Sequence, residues 1–159
     1  MRQDNTTGQA PVVIELWADL GCPWCYLGKH RLQPAIAARP DAERFEVKIR
    51  SFELHPEFSR VPEAIDTALI RAYGDGAPAV MQAERDFQSL ARGEGLVFEL
   101  ARLSANTFEV HRVTHYADGS GKGLEFFSRV QDQLFAGEVN PYAADTLASL
   151  AESLVLSGT

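Results

Sequence analysis

Cysteine is scarce in this chain: Cys22 and Cys25 are the only two in 159 residues. A scaffold stapled by several disulfides is therefore excluded. A lone pair three residues apart suits redox chemistry or metal binding better than it suits holding a fold together. Long apolar runs are also missing, so no segment has the ~20 residues a bilayer-spanning helix needs. Met1 to Ala10 is polar and lacks the apolar stretch of a secretory leader. Positive charge is in short supply, with 15 Lys and Arg against 22 Asp and Glu and a formal net charge of −7. An acidic surface argues against nucleic acid and anionic membranes as partners. These absences predict a cytoplasmic protein without a bound cofactor. Internal repeats and low-complexity tracts are absent too.

The residues that are present fall in a clear order. Val12-Val13-Ile14-Glu15-Leu16-Trp17 is a near-continuous apolar run and predicts a central strand buried on both faces. Ala18 to Gly21 forms a short loop, and Tyr26 to Arg39 predicts a helix. Pro23 suits the first turn of that helix, where a missing N–H costs nothing. Pro34 lies deeper and predicts a kink or local break. Phe45-Glu46-Val47-Lys48-Ile49-Arg50 alternates, which predicts a half-buried strand with Phe45, Val47 and Ile49 inward. Strand, helix and strand in this short span make a parallel βαβ unit. From Pro62 the period becomes helical, over Pro62–Tyr73, Pro78–Arg92, Phe108–Tyr116, Gly123–Phe135 and Pro141–Leu154, with breaks at the intervening glycines. Leu96-Val97-Phe98 could make a short strand, but nothing nearby supports it. The division is thus residues 1–60 for the βαβ part and 61–159 for a helical part. Two strands do not make a stable sheet, so the first strand should want a neighbour on each edge.

Cys22-Pro23-Trp24-Cys25 falls where the first strand runs into its helix. Disulfide exchange needs a thiolate that attacks and a second thiol that resolves the mixed disulfide. Cys22, at the helix N-terminus, has free backbone N–H groups and the helix dipole to favour its thiolate. Cys25, one turn in, is the covered, resolving thiol. The competing readings are half of a zinc site or ordinary core cysteines. Zinc would need two more ligands, and His111 and His115, one turn apart, are the available pair among four histidines. Glu15 interrupts the apolar strand. Buried there, it would have a raised pKa and could exchange protons with Cys25. Pro23 and Trp24, between the thiols, are candidate substrate contacts. Arg112 reads as a surface ion-pair former.

Glu15-Leu16-Trp17-Ala18-Asp19 followed by Cys22-Pro23-Trp24-Cys25-Tyr26-Leu27-Gly28-Lys29 resembles the opening of the FrnE-type branch of the DsbA family. Ser51-Phe52-Glu53-Leu54-His55-Pro56 resembles the segment after that branch's second strand, and Asn106-Thr107-Phe108 with His111-Arg112 its helical signature. The resemblance implies a thioredoxin-like α/β fold with a large helical insertion. It implies Cys22 as nucleophile, Cys25 as resolving thiol, and Asn106, Thr107 and His111 over the site as substrate or interdomain contacts. It implies a thiol-disulfide oxidoreductase whose partners are a disulfide-containing protein or small thiol, with glutathione or another thiol reductant as redox partner. The same branch is similar to 2-hydroxychromene-2-carboxylate isomerases and kappa-class glutathione transferases, which leaves a glutathione-dependent isomerase as an alternative. A non-catalytic fragment binding a metal or a partner is another. In relatives an antiparallel strand pair, a cis-proline loop and a last helix come after the insertion. Here the chain stops at Ser157-Gly158-Thr159, so the expectation is a shortened product with low stability, an exposed sheet edge and a tendency to form a homodimer through it.

Overall fold

The computed structural model describes residues 10–156. The leader and early-stop readings, which concern residues 1–9 and 157–159, lie outside the described residues. Strands β1 (Val12–Ala18) and β2 (Phe45–Ser51) pair in parallel, in register from Val12↔Phe45 to Ala18↔Ser51. Helix α1 (Pro23–Ala37) makes the crossover that a parallel pair requires. Pro34 lies within α1 without ending it, and Ala38 N–H closes the helix onto Pro34 O at 3.0 Å.

Strand β1 departs from its expected burial. Its Leu16 and Ala18 side pack on the core, whereas Val13, Glu15 and Trp17 are exposed, with Trp17 at 63 %. Among the described residues the main sheet has two strands, and their register sets Val13, Glu15 and Trp17 opposite the polar Glu46, Lys48 and Arg50. One face of this sheet is therefore apolar and covered, and the other mixes aromatic, aliphatic and charged groups and is open.

Five further helices complete the described chain: α2 (Ile65–Tyr73), α3 (Ala77–Gly93), α4 (Phe108–Asp118), α5 (Gly123–Ala136) and α6 (Ala144–Leu156). Two start later than the sequence pattern predicts. Helix α2 begins at Ile65 because Glu63–Ala64 (β3) pairs antiparallel with Leu103–Ser104 (β4), a long-range bridge that local periodicity does not reveal. Helix α6 begins after a turn in which Asn140 Oδ1 accepts the Tyr142 N–H at 3.0 Å. Leu96-Val97-Phe98 is not a strand. Phe98 is instead a core residue between the Phe87 and Phe135 rings, at centroid distances of 4.8 and 5.0 Å. Gly137 ends α5 in the left-handed region at φ 68°, which glycine adopts without penalty.

Helix α5 belongs to both apolar clusters. Phe126, Phe127, Val130 and Leu134 pack with Ala18 and Ile49 from the sheet. Phe135 packs with Tyr26 and Leu27 of α1 and with Phe87 and Phe98. Each fully buried phenylalanine contributes roughly 1.5–3 kcal/mol of transfer free energy. This shared packing holds the β1–α1 turn between the sheet and the later helices.

Candidate redox site

The β1–α1 turn carries the two thiols. Cys22 is the N-cap of α1, in extended backbone, and its Sγ accepts the Cys25 N–H at 3.3 Å. Pro23 follows in the first turn, so the cap bond falls to a later donor. Both cysteines are thiols and half-buried. A hydrogen bond joins the two sulfurs. On Cys22 that bond and burial push the pKa well up, against backbone N–H donors from Cys25 and Trp24 that favour the thiolate. On Cys25 the same bond pulls the pKa down to about 7, against burial. The pair therefore titrates as one unit: one proton leaves readily and the other stays between the sulfurs.

A carboxylate that sequence reading did not single out anchors the turn. Asp19 is 4 % exposed. Its Oδ1 accepts the Leu20 N–H at 2.7 Å and a hydrogen bond from His111 Nε2 at 3.1 Å, and its Oδ2 accepts the Leu54 N–H at 2.7 Å. The Thr107 side chain also bonds to it. Burial acts to raise the Asp19 pKa, but bonds from His111, Thr107 and the Leu54 N–H outweigh it and hold the carboxyl below its ordinary range. His111 Nδ1 is buried without a hydrogen-bond partner. Gln131, fully buried on α5, donates from Nε2 to the carbonyls of Asp19 and Leu20 at 3.3 and 3.1 Å. The turn is thus tied to α4, to α5 and to the loop after β2. A lone aspartate in a loop reads as a turn former, so its burial carries no local signal.

Glu15 does not occupy the buried position expected of it. Its carboxylate accepts from Arg50 at 2.6 Å on the open face of the sheet, and the buried acid at this site is Asp19. Trp24 is 64 % exposed and meets the Phe87 ring edge-on at 5.1 Å. Asn106 donates from Nδ2 to Glu53 Oε2 at 3.1 Å and to Pro56 O at 3.0 Å, which ties the loop after β2 to the start of α4. His111 and His115 do not form a pair: His115 Nε2 lies 3.0 Å from Ser51 Oγ at the surface. Among the described residues no group of three or more His, Cys, Asp or Glu could hold a metal ion. Arg112 bonds Glu109 at 2.9 Å on the surface.

A cavity of about 310 Å³ opens beside the thiols. Cys22, Pro23, Trp24 and Thr107 line it, whereas Cys25, Asn106, His111 and Glu15 do not. Helices α2 and α3 close the far side through Leu69, Val80, Ala83 and Phe87. Of the two cysteines, Cys22 therefore lines this cavity and Cys25 does not.

Known proteins share the fold that carries this site. The chain is 26 % identical over 149 residues to the uncharacterised protein YwbO of Bacillus subtilis, a match covering 92 % of the chain and 68 % of that relative. It superposes with a TM-score of 0.77 and 31 % identity on the crystal structure of a probable DsbA oxidoreductase from Streptomyces coelicolor, covering 90 % of this chain. The chain spans 62 % of that solved protein's length. Residues 13–158 match the DSBA-like thioredoxin domain. The fold is the thioredoxin-like fold of the DsbA proteins with its helical insertion, and the chain belongs to the DSBA-like thioredoxin domain family.

Proposed function

We propose that this protein is a thiol-disulfide oxidoreductase acting through Cys22 and Cys25. The observation that carries the reading is the asymmetry of the pair: Cys22 caps a helix and faces a cavity, and Cys25 lies one turn behind it. In the reducing direction the proton held between the sulfurs passes to Cys25, and the Cys22 thiolate so formed attacks a substrate disulfide R–S–S–R′. A Cys22–S–S–R bond forms and R′–S⁻ leaves with a proton from solvent. Cys25 then loses its proton and attacks Cys22 Sγ. The Cys22–Cys25 disulfide forms, and RS⁻ leaves carrying the electron pair. The oxidising direction is the reverse sequence. Backbone N–H groups of Trp24 and Cys25 stabilise the developing Cys22 thiolate in either direction. The DSBA-like family match and the likeness to a probable DsbA oxidoreductase support this reading.

The test is equilibration in thiol–disulfide buffers of graded poise, followed by acid trapping, alkylation and intact mass. The expected result is a two-electron conversion of the dithiol to the Cys22–Cys25 disulfide, with a midpoint between roughly −270 and −120 mV. Cys22→Ser should abolish exchange, and Cys25→Ser should accumulate the mixed disulfide. Alkylation of the dithiol should rise with pH as the pair gives up its first proton, which the bond between the two sulfurs draws from Cys25. A pair that remains reduced at every poise overturns the proposal.

A further inference from the structure

The cavity beside Cys22 differs from an open peptide groove in its walls and its charge. Its rings come from Trp24, Phe58, Tyr73, Phe87 and Tyr142. Its volume of about 310 Å³ lies at the small end of the roughly 300–1,000 Å³ usual for small-molecule sites. The charges in the wall are already engaged. Arg102 donates to Glu84 Oε2 at 2.6 Å and to Glu99 O at 3.2 Å, and its guanidinium lies 4.6 Å from the Phe98 ring centroid. Asp19 is taken up by its hydrogen bonds from Leu20, Leu54 and His111. His55 lies 3.0 Å from Glu57 Oε1 through Nδ1 and 3.3 Å from the Tyr73 hydroxyl through Nε2. Among the described lining residues no cation is left for the two carboxylates that each half of glutathione disulfide carries. A charged ligand would lose its hydration there without a partner, whereas a neutral ring would bury apolar area against aromatic walls.

From this we infer that the cavity selects small, neutral aromatic disulfides, seating one aryl group between α2 and α3 while the scissile sulfur meets Cys22. The inference rests on the oxidoreductase reading and names the substrate class of the same site. The step is the same thiol–disulfide exchange: with Ar–CH₂–S–S–CH₂–Ar, Cys22 takes one Ar–CH₂–S group in a mixed disulfide and the second leaves as its thiolate. Cys25 then releases the first, and the disulfide's reduction is matched by oxidation of the Cys22–Cys25 pair.

The experiment measures exchange of the dithiol protein with dibenzyl disulfide, bis(2-hydroxyethyl) disulfide, glutathione disulfide and a disulfide-bonded unfolded protein. Each rate is divided by that of N-acetylcysteine, which removes intrinsic differences in reactivity. Burying one aromatic ring predicts a normalised preference of about tenfold or more for dibenzyl over bis(2-hydroxyethyl) disulfide. The normalised rate with glutathione disulfide should be the lowest of the small disulfides. Ala83→Phe, which fills the cavity from an exposed stretch of α3, should bring the benzyl preference close to one, and Val80→Trp provides a second filled variant. In Cys25→Ser treated with dibenzyl disulfide, one benzylthio group should stay on Cys22 as a mixed disulfide, with benzyl mercaptan released, and tryptophan fluorescence should change through the neighbouring Trp24. Equal normalised rates for all small disulfides, a preference untouched by both filled variants, or a faster rate with the unfolded protein overturns the cavity assignment alone. No exchange with any disulfide overturns the oxidoreductase reading with it.

Discussion

Strand β1 lies between two unlike regions. At its C-terminal end the Asp19–Cys25 turn is held by groups from four directions: the Leu54 N–H, His111 of α4 with Thr107 just before that helix, Gln131 of α5, and the cap bond within α1. A few residues earlier Val13, Glu15 and Trp17 stand on an open face, and their polar contact is the ion pair of Glu15 with Arg50. The contrast shows where order is concentrated. The thiols are positioned by buried polar groups that reach the turn from distant parts of the chain, and the open sheet face adds little to that positioning.

This contrast can be broken at its strong end first. Asp19→Ala leaves His111 and two backbone donors without their carboxylate, and should lower stability by about 3–5 kcal/mol in chemical denaturation. Acid sharpens the same point. Because the folded Asp19 pKa lies below the ordinary value of 3.8, its contribution is present above that value and lost as pH falls through the lower folded pKa. Asp19→Asn should flatten that acid limb of the stability–pH curve. Gln131→Leu removes the two bonds to the Asp19 and Leu20 carbonyls and should cost about 1–3 kcal/mol. It should also alter the alkylation rate of Cys22, a readout that a merely peripheral residue would not move. On the open face Glu15→Gln should cost no more than about 1 kcal/mol. Trp17→Thr should stay within about 0.5 kcal/mol. A large loss of stability or of thiol reactivity from either open-face change would erase the distinction between the two regions.

The parts readable from sequence are those whose signal is local. The βαβ unit follows from an apolar run, a proline-started helix and a strict alternation, and the helices after Pro62 follow from their period and glycine breaks. The thiol pair is legible because its spacing and its place at a helix start are both short-range. The burial of β1 is not legible, because an apolar run does not say which layers are present to cover it. Nor is the choice between Glu15 and Asp19 as the buried acid. Asp19 is covered by His111, 92 residues further along, and by Gln131, which reaches its carbonyl across 112 residues.

By itself the sequence determined the position of the Cys22–Cys25 pair, the parallel strand–helix–strand unit around it and the helical character of the chain beyond Pro62, because neighbouring residues dictate each of these. Tertiary structure alone decided that Cys22 faces a ring-walled cavity while Cys25 does not, that Asp19 is the buried carboxylate, and that the Glu15 face lies open. Those outcomes depend on which distant helices pack against the turn, and packing between distant segments has no local signature.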